Sequence, residues 1–376
     1  MTSIEELEGL RGEIDALDGR MVELLNERMR LSGEVARVKA NGNIAITDAR
    51  REQRVIDAAA EGSAAENRSA ASTLMRTLIS LSKKRQIEKL GLTDAVAFPA
   101  SSGRKEGTAS VAFQGVPGAW GEQAAELLFP GAELTGGDYF ESVFEAVKSG
   151  GADCGVLPIE NSRTGAIGEV YDLLRRHACY IVGQSWITVR QCLLAKKGAA
   201  LGDIREVFSH PEGFGQCARF LKNRSWELTS CRNTAFAAKL ASEKDGARYA
   251  AIGSRRAAEV YGLDVLAPDI MDDAGNKTRF IAIAASPIYD DSCDTVSITF
   301  STAHRSGALC AVLEAFMLAG INLSRIESRP VSADRYRFFA DLQTNILLDA
   351  TRDALSLASM HCDYFEILGC YGTTDN

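Results

Sequence analysis

The sequence predicts a multidomain protein with an all-helical N-terminal segment, an α/β middle segment and a small α+β C-terminal segment. Apolar residues recur every three or four positions from Ile4 to Val38, as on one face of a long helix. Strand-like and helix-like stretches alternate over residues 108–286, which is typical of α/β proteins. The order strand, helix, strand, strand, helix, strand follows over residues 294–370 and predicts a ferredoxin-like fold.

Length and composition exclude several classes of protein. At 376 residues the chain holds two or three domains. The net charge of −8, with no basic patch among aromatic residues, argues against nucleic-acid binding. No apolar stretch reaches the roughly 20 residues that span a bilayer, and no secretory signal is recognisable, so we expect a cytoplasmic protein without a membrane partner. The nine cysteines and four histidines follow no metal-ligand spacing, so we expect reduced thiols and no metal.

Residues 4–90 predict three helices. The first runs for about 35 residues (roughly 50 Å) and stops at "NGN", Asn41–Asn43. Thr47 or Asp48 is a candidate N-cap for the second helix, and the third covers about residues 69–90. One chain cannot bury the apolar faces of so long a helix, so we expect a homodimer or a higher homo-oligomer.

Basic residues on the first helix could bind an anion. Arg28 interrupts the apolar stripe, and Lys39 returns to nearly the same face about 16 Å further on. Arg11 is roughly 25 Å from Arg28 along the axis, so one straight helix cannot bring both to one small ligand, whereas an antiparallel partner helix could supply Arg11. The alternative, solvated surface charges, stays open at this point. Two polar pairs also share helix faces at i and i+4: Asp48 with Glu52, and Ser82 with Gln86.

The stretches "LRGEIDALDGRMVELLNERMRLSGEVARVKA", "ITDARREQRVI" and "LISLSKKRQ" together resemble the all-helical chorismate mutase domain over about residues 4–90. The resemblance implies an intertwined dimer that rearranges chorismate to prephenate. Such a pericyclic reaction needs no cofactor, only a dianion held in its reactive shape with cations near the breaking bond. By resemblance, Arg28 and Arg11 of the partner subunit bind the carboxylates, Lys39 and Gln86 act catalytically at the ether oxygen, Asp48 and Glu52 bind the ring hydroxyl or backbone, Ser82 meets a carboxylate, and Arg51 supports the site.

After a linker predicted at residues 91–107, the middle segment gathers polar residues at its strand ends. "CGVLPIENS" ends a strand with Glu160, Asn161 and Ser162, "EVFSH" ends another with Ser209, and "NKTRF" places Thr278 before a buried strand. Beside helix N-termini such groups form an anion-ready cleft. Singly, each could be an N-cap or a strand-edge residue. No GxGxxG follows the first strand, so we expect no nicotinamide cofactor.

These motifs, with "VAFQGVPGAWGEQAA", "SHPEGFGQC" and "AAIGSRRAAEVYGLDVLAPDI", resemble prephenate dehydratase over about residues 108–286. The resemblance implies two α/β lobes, as in periplasmic binding proteins, with 108–185 and 273–286 in the first and 186–272 in the second. Thr278 would be the catalytic donor to the leaving hydroxide, and Glu160 a proton source if its pKa were raised. Gly121 and Glu212 depart from residues common in the family. The implied substrate binders are Asn161, Ser162, Thr164, Ser209, Gln216 and Arg279.

The stretch "HRSGALCAVLEAFMLAGINLSRIESRP" resembles the ACT regulatory domain of phenylalanine-synthesising dehydratases. The alternative is a ferredoxin-like domain that only dimerises. Cys310 stands where many relatives have histidine. The resemblance implies feedback inhibition by phenylalanine bound at paired domains, with contacts from Gly307, Ala308, Leu309, Asn322, Glu327, Ser328, Arg329 and Pro330.

In order along the chain, the product of the first predicted domain is the substrate of the second, and the ligand of the third is the amino acid that the second leads to. We therefore expect a bifunctional enzyme of phenylalanine biosynthesis. One alternative is a monofunctional dehydratase whose helical segment only dimerises. Another is a non-catalytic sensor, against which the intact "TRF" argues.

Overall fold

The computed structural model describes residues 3–92, 96–103, 110–332 and 334–374. The chain divides into two compact units, Met1–Phe98 with Ile298–Ile367 and Pro99–Ser297 with Leu368–Asn376. Part of the predicted linker, residues 93–95 and 104–107, lies outside the described residues. In the described part of the chain, helices long and apolar enough to cross a membrane are absent.

Three helices begin the first unit: α1 (Ser3–Gly42), α2 (Ala49–Glu61) and α3 (Arg68–Leu90). Helix α1 runs for 40 residues without a break, slightly longer than the sequence predicts. The Asp48 carboxylate caps α2 by accepting a 3.0 Å hydrogen bond from the Arg51 amide. Gly91 ends α3 in the left-handed region, at φ 60°, where glycine is favoured. Local capping therefore sets the ends of α2 and α3 as the sequence predicts.

The same unit contains most of a ferredoxin-like fold, of which residues 295–297 and 368–371 fall in the second unit. Its strands follow the order β13-β14-β12-β15, which leaves β13 at the edge of the sheet. The predicted order of elements is therefore confirmed. The elements are β12 (Thr295–Ser301), α11 (Ala308–Leu318), β13 (Leu323–Ser332), β14 (Arg335–Gln343), α12 (Asp349–Ser359) and β15 (Tyr364–Tyr371).

Helix α3 packs against this ferredoxin-like fold inside the first unit, a contact that no sequence motif indicated. The Glu314 carboxylate on α11 accepts hydrogen bonds from the hydroxyls of Thr77 (2.8 Å) and Ser80 (2.7 Å) on α3. Lys84 donates to the Leu318 carbonyl at 3.0 Å. The contact is polar and specific because each charged side chain finds a hydrogen-bond partner on the facing helix.

The second unit contains two α/β lobes. Lobe one has the strand order β5-β11-β3-β1-β2 and lobe two the order β10-β6-β9-β7-β8. Lobe one comprises β1 (Ser110–Gln114), α4 (Trp120–Leu128), β2 (Glu133–Gly137), α5 (Phe140–Ser149), β3 (Cys154–Asn161), β4 (Gly165–Ala166), α6 (Gly168–His177), β5 (Tyr180–Thr188) and β11 (Lys277–Ala284). Lobe two comprises β6 (Cys192–Lys196), β7 (Glu206–Ser209), α7 (Pro211–Gln216), α8 (Ala218–Leu221), β8 (Glu227–Ser230), α9 (Thr234–Glu243), β9 (Tyr249–Gly253), α10 (Arg255–Tyr261) and β10 (Leu263–Ala267).

A β-bulge in β3 sets which side chains face the cleft. Arg279 on β11 pairs with Glu160, but the next residue, Phe280, pairs with Pro158, so Ile159 is the extra residue. A bulge of this kind re-aims the side chains on either side of it. Here Pro158 and Asn161, three positions apart, both line the cleft.

The end of the chain also belongs to lobe one. Gly369 at the end of β15 pairs with Ile181 of β5. The short strand β16 (Thr373–Thr374) pairs with Gln184 and Ser185 of β5. The last described residues therefore extend the sheet of lobe one at β5.

Candidate active sites

The first site lies among the N-terminal helices, on the face of α1 that meets α3. Arg28 donates from Nη1 to the Leu78 carbonyl at 2.6 Å and to the Ser82 hydroxyl. Burial lowers the pKa of the Arg28 guanidinium, because desolvation disfavours the charged form. Two residues predicted to bind the same anion, Arg28 and Ser82, are thus in direct contact.

Lys39 lies further along the same helix, beside the start of α2. Its Nζ donates to the Ile46 carbonyl at 2.5 Å. Burial lowers the pKa of Lys39, and the carboxylates of Asp48 and Glu52 partly oppose that shift. The structure thus brings Lys39 close to both predicted carboxylates, one of which also caps α2.

Gln86 completes this side of the site. Its side chain is buried, and Nε2 donates to the Ser82 carbonyl at 3.2 Å. Its Oε1 is buried without a hydrogen-bond partner among the described residues. A buried polar atom without a partner is costly, which fits a group that meets a ligand.

Lys83 is a residue that the sequence analysis missed. Its side chain is buried, and Nζ lies 2.9 Å from the Glu52 carboxylate. The burial of a lysine in mid-helix could only have been recognised from the face it shares with Ile79 and Gln86. Because this ion pair occupies Glu52, its carboxylate is held in place rather than free to turn toward a ligand.

Arg11 is not brought to this cluster. It is exposed on α1, and the unbroken helix keeps it roughly 25 Å from Arg28. The apolar stripe of α1 is exposed beside it, with Leu10 at 54%, Ile14 at 55% and Leu17 at 54% of full exposure. Soluble monomers rarely leave so long a hydrophobic stripe in water.

The second site is a cavity of about 270 Å³ between the two lobes of the second unit. Its floor is formed by strand ends of lobe one, and the starts of α4 and α9 open onto it. Helix N-termini favour anions. Four of the predicted residues line the cavity: Asn161, Thr164, Gln216 and Thr278.

Asn161 fixes the hydroxyl of Thr278. Its Nδ2 donates to Thr278 Oγ1 at 3.0 Å and to Asn276 Oδ1 at 2.9 Å. Its Oδ1 accepts from the amides of Arg163 (3.0 Å) and Thr164 (3.3 Å), so the amide group has one orientation. A hydroxyl that accepts from Asn161 keeps its own hydrogen for donation. Thr278 can therefore donate a hydrogen bond into the cavity.

Two predicted residues of this site lie on the other face of the sheet. Alternate residues of a strand point to opposite faces, so Arg279 points away from the cavity that Thr278 and Phe280 line. Glu160 faces the same way as Arg279, with its carboxylate 3.8 Å from the guanidinium. The bulge at Ile159 sets this direction, and it corrects the expectation that Glu160 and Arg279 meet the substrate.

Ser162 and Ser209 are also not among the described residues that line the cavity. Ser162 accepts a hydrogen bond from the Lys277 amide at 3.0 Å. Ser209 is fully buried and donates to the Ile252 carbonyl at 3.2 Å. Both hydroxyls hold strand ends in place, and neither caps a helix: the alternative that these motifs are N-caps holds only for "SHP", through His210 at the start of α7.

Arg232 and Gln191 line the cavity, although the sequence analysis did not select them. Arg232 pairs with Asp138 of lobe one at 2.8 Å and stacks over Phe236. Gln191 donates to Gln216 at 3.0 Å. Arg232 directly precedes the Asn233 cap of α9, and a helix N-terminus favours anions. Arg232 carries a permanent positive charge at the cavity.

The two lobes are also joined beside this cavity by the loop that contains Pro117 and Gly118. Ser254 Oγ donates to the Gly118 carbonyl at 2.9 Å, and the Tyr261 hydroxyl donates to the Pro117 carbonyl at 2.8 Å. Gly118 has φ +87°, and a Cβ there would lie 2.8 Å from the Ala257 Cα. Only glycine fits so close an approach.

The predicted effector residues lie on the ferredoxin-like fold. Gly307 precedes α11 in the left-handed region at φ 78°, Ala308 is buried, and Leu309 follows in α11. Asn322 donates to Gln343 at 2.7 Å. Strand β14 separates β12, which leads to Gly307, from the edge strand β13, which carries Glu327, Ser328, Arg329 and Pro330.

Comparisons with known proteins find matches over both the helical segment and the two-lobed unit. Residues 111–288 match the family model described as prephenate dehydratase, and residues 10–87 match the model described as chorismate mutase type II. The arogenate dehydratase/prephenate dehydratase 1 of Arabidopsis thaliana is 38% identical over 289 residues, which cover 72% of this chain and 74% of the relative.

Two solved structures are also similar. Prephenate dehydratase from Arthrobacter aurescens, solved in complex with L-Phe, has a TM-score of 0.64 at 27% identity and covers 70% of this chain and 89% of that one. A protein described as a quorum-quenching acylase, GqqA, has a TM-score of 0.64 at 29% identity and covers 70% of this chain and 97% of that one.

Proposed function

We propose a two-step function, on the premise that the chain belongs to the prephenate dehydratase family and carries a type II chorismate mutase domain. Chorismate is rearranged to prephenate among the N-terminal helices, and prephenate is then dehydrated and decarboxylated to phenylpyruvate in the two-lobed unit. The observation that carries the proposal is that one chain holds both an Arg28–Ser82 contact, on the same helix as Lys39, and a Thr278 hydroxyl directed by Asn161.

The first reaction fits the charges of the helical site. Chorismate is a dianion, and Arg28 is a planar cation suited to binding a carboxylate with two hydrogen bonds. Lys39 and Gln86 supply a cation and an amide that can donate to the oxygen of the breaking C–O bond. Such donors act by holding the reactive conformer and stabilising the charge that develops. This step requires neither a nucleophile nor proton transfer.

A second copy of the chain completes the helical site. An antiparallel α1 from that copy would cover the exposed apolar stripe and deliver Arg11 of the partner subunit near Arg28. Exposed Leu10, Ile14 and Leu17 support this arrangement. The homodimer is thus part of the proposed catalytic arrangement.

The second reaction fits the hydrogen-bonding groups of the cleft. As the carboxylate of prephenate leaves as carbon dioxide, the electron pair of that C–C bond enters the ring and expels the ring hydroxyl as hydroxide. Thr278 donates a hydrogen bond to the leaving oxygen, and Asn161 keeps the hydroxyl turned for that purpose. Arg232 and the start of α9 suit the remaining carboxylate. The ring becomes aromatic, so no further driving force is needed.

Arogenate is a second candidate substrate for the same cleft. The similar proteins of Arabidopsis thaliana include enzymes named for both arogenate and prephenate. Arogenate carries an ammonium group where prephenate has a ketone, and Glu212 at the cavity offers a carboxylate for it. The two substrates therefore differ by a charge that Glu212 can distinguish.

Phenylalanine is the proposed effector of the ferredoxin-like fold, taken as an ACT domain. Gly307 places no side chain at the start of α11. Strand β13 lies at the edge of the sheet, where a second copy could pair with it. The complex of a similar dehydratase with L-Phe supports this ligand. Equal dehydratase activity with and without excess phenylalanine would refute the regulation. A cytoplasmic location, where thiols stay reduced, is proposed because the cysteines follow no disulfide-framework spacing in the sequence.

The proposal is tested by giving the purified protein chorismate alone and measuring phenylpyruvate. Phenylpyruvate forms only if both sites work. If none forms, prephenate is supplied instead. Turnover of prephenate alone would show that the helices serve only for dimerisation. No turnover of either substrate would instead favour a non-catalytic binding protein.

A further inference from the structure

A buried polar cluster lies behind β11, on the face opposite the cavity. Arg279 Nε donates to Gln184 Oε1 at 2.6 Å, and Nη2 donates to the Tyr371 hydroxyl at 3.0 Å. Arg279 is 5% exposed and Tyr371 is fully buried. A buried guanidinium is stable only while its hydrogen bonds are kept. The cluster therefore has one favoured arrangement.

The far side of this cluster comes from the end of the chain. The Tyr371 hydroxyl also bonds to Ser297 Oγ at 2.5 Å. Gln184 Nε2 donates to Thr373 Oγ1 at 2.7 Å, and its backbone amide donates to the Gly372 carbonyl at 3.3 Å. Residues 371–373 thus hold both Arg279 directly and the glutamine that binds it.

The cluster is one residue away from the catalytic hydroxyl. Thr278 precedes Arg279 on β11, and their side chains point to opposite faces of the sheet. We expect a shift of the Arg279 guanidinium to displace the adjacent backbone that carries Thr278, because the two residues are neighbours on β11. Catalytic groups act within narrow limits of position, and a displacement of about 1 Å can cost roughly a hundredfold in rate.

We propose that Tyr371 is a positioning residue of the dehydratase reaction, acting through Arg279 on Thr278. The inference rests on the proposed function of the cleft. Tyr371 lies behind the sheet and does not line the cavity. Its hydroxyl holds the guanidinium, the guanidinium holds β11, and β11 presents the Thr278 hydroxyl to the leaving group.

The test is Tyr371→Phe, which removes the hydroxyl and keeps the ring. Tyr289→Phe is the matched control, because the Tyr289 hydroxyl also makes a hydrogen bond, to the Pro99 carbonyl at 3.1 Å, away from the cavity. We expect kcat for prephenate to fall roughly tenfold in Tyr371→Phe with KM little changed, the pattern of a lost transition-state interaction. Mutase activity should match the wild type in both variants.

A double variant separates positioning from a general loss of structure. In a Thr278→Ala background, Tyr371→Phe should not lower the residual rate further, because the group it positions is gone. A further tenfold fall there would overturn the inference, and so would a Tyr371→Phe kcat equal to that of Tyr289→Phe. Wild-type protein that leaves prephenate unchanged would instead overturn the proposed function, and the role of Tyr371 with it.

Thr373→Val serves as a second variant if Tyr371→Phe does not fold. Thr373 is exposed, and its loss removes only the acceptor of Gln184 Nε2. We expect a fall in kcat of about two- to threefold, smaller than for Tyr371 because the guanidinium keeps its direct partners. An unchanged kcat in Thr373→Val would contradict a role for the end of the chain.

Discussion

The two proposed sites differ in how completely a single chain forms them and in the charge of the groups they contain. The helical site gathers cations along α1 and remains open where its apolar stripe is exposed. The cleft site is closed by two lobes of the same unit, and its central group is a neutral hydroxyl held by an amide. The difference follows the chemistry: holding a dianion in shape requires several positive charges, whereas expelling hydroxide requires one well-placed donor.

The comparison also shows two ways of fixing a functional side chain. Arg28 is held by the Leu78 carbonyl within α3, and Lys39 by the Ile46 carbonyl in the loop before α2. Thr278 is held from both faces of a sheet, by Asn161 in front and by the Arg279 cluster behind. We therefore expect the cleft to depend on residues that never meet its substrate, more than the helical site does.

The largest expected effect is that of Thr278→Ala on the cleft. Dehydratase kcat should fall about a thousandfold, because general acid assistance of this kind is worth roughly 10²- to 10⁴-fold. Mutase activity should be unchanged, and Thr278→Ser, which keeps a hydroxyl, should retain part of the rate. Steady-state turnover of prephenate measures the effect. A fall in dehydratase kcat of less than about tenfold would show that another group donates the hydrogen bond to the leaving hydroxide.

Arg28→Ala breaks the other side of the comparison. Mutase kcat/KM should fall about a hundredfold or more, since a charged donor to the substrate is lost. Arg30→Ala is the matched control, because Arg30 is exposed on the same helix and should have little effect. Dehydratase turnover of prephenate by Arg28→Ala should equal that of the wild type. Normal mutase activity in Arg28→Ala would show that the proposed helical site does not bind chorismate.

Glu212→Gln tests whether the cleft distinguishes arogenate from prephenate by charge. Removing the carboxylate should lower kcat/KM for arogenate and raise it for prephenate, each by a few fold, as the charge no longer favours an ammonium group. The ratio of the two kcat/KM values measures the change. A ratio equal to that of the wild type would show that Glu212 does not face the side chain of the substrate.

The smallest effect is a shift in the pH profile of the mutase. Burial lowers the pKa of Lys39 from the ordinary 10.5, and only the protonated amine carries the required charge. Mutase kcat/KM should therefore fall as pH rises, with a midpoint below 10.5. Lys39→Arg should move this midpoint upward, because a guanidinium stays charged. The same midpoint in both proteins would show that Lys39 does not control the profile.

Much of this architecture could be predicted from local patterns. The three-and-four spacing from Ile4 to Val38 identifies the long helix, and "NGN" places its end within a residue or two. The strand-end position of Asn161 and Thr278 likewise indicates that they meet, and they do so at 3.0 Å.

Other features depend on geometry that no short pattern carries. Strict alternation would put Glu160 on the face of Pro158, but the extra residue at Ile159 turns it toward Arg279. The role of residues 371–373 depends on which strand they pair with, and that pairing is distant in sequence. Arg232 and Lys83 were missed because their importance comes from the partners that folding brings to them, Asp138 and Glu52.

The helical site is proposed to need two copies of the chain, whereas the cleft needs one. Arg11→Ala and Arg28→Ala are each expected to lack mutase activity. After the two variants are unfolded and refolded together, half of the dimers are mixed and each mixed dimer has one intact site, so roughly a quarter of wild-type mutase activity should return. Dehydratase activity should stay at the wild-type level throughout. No recovery of mutase activity from mixed dimers would contradict a site shared between subunits.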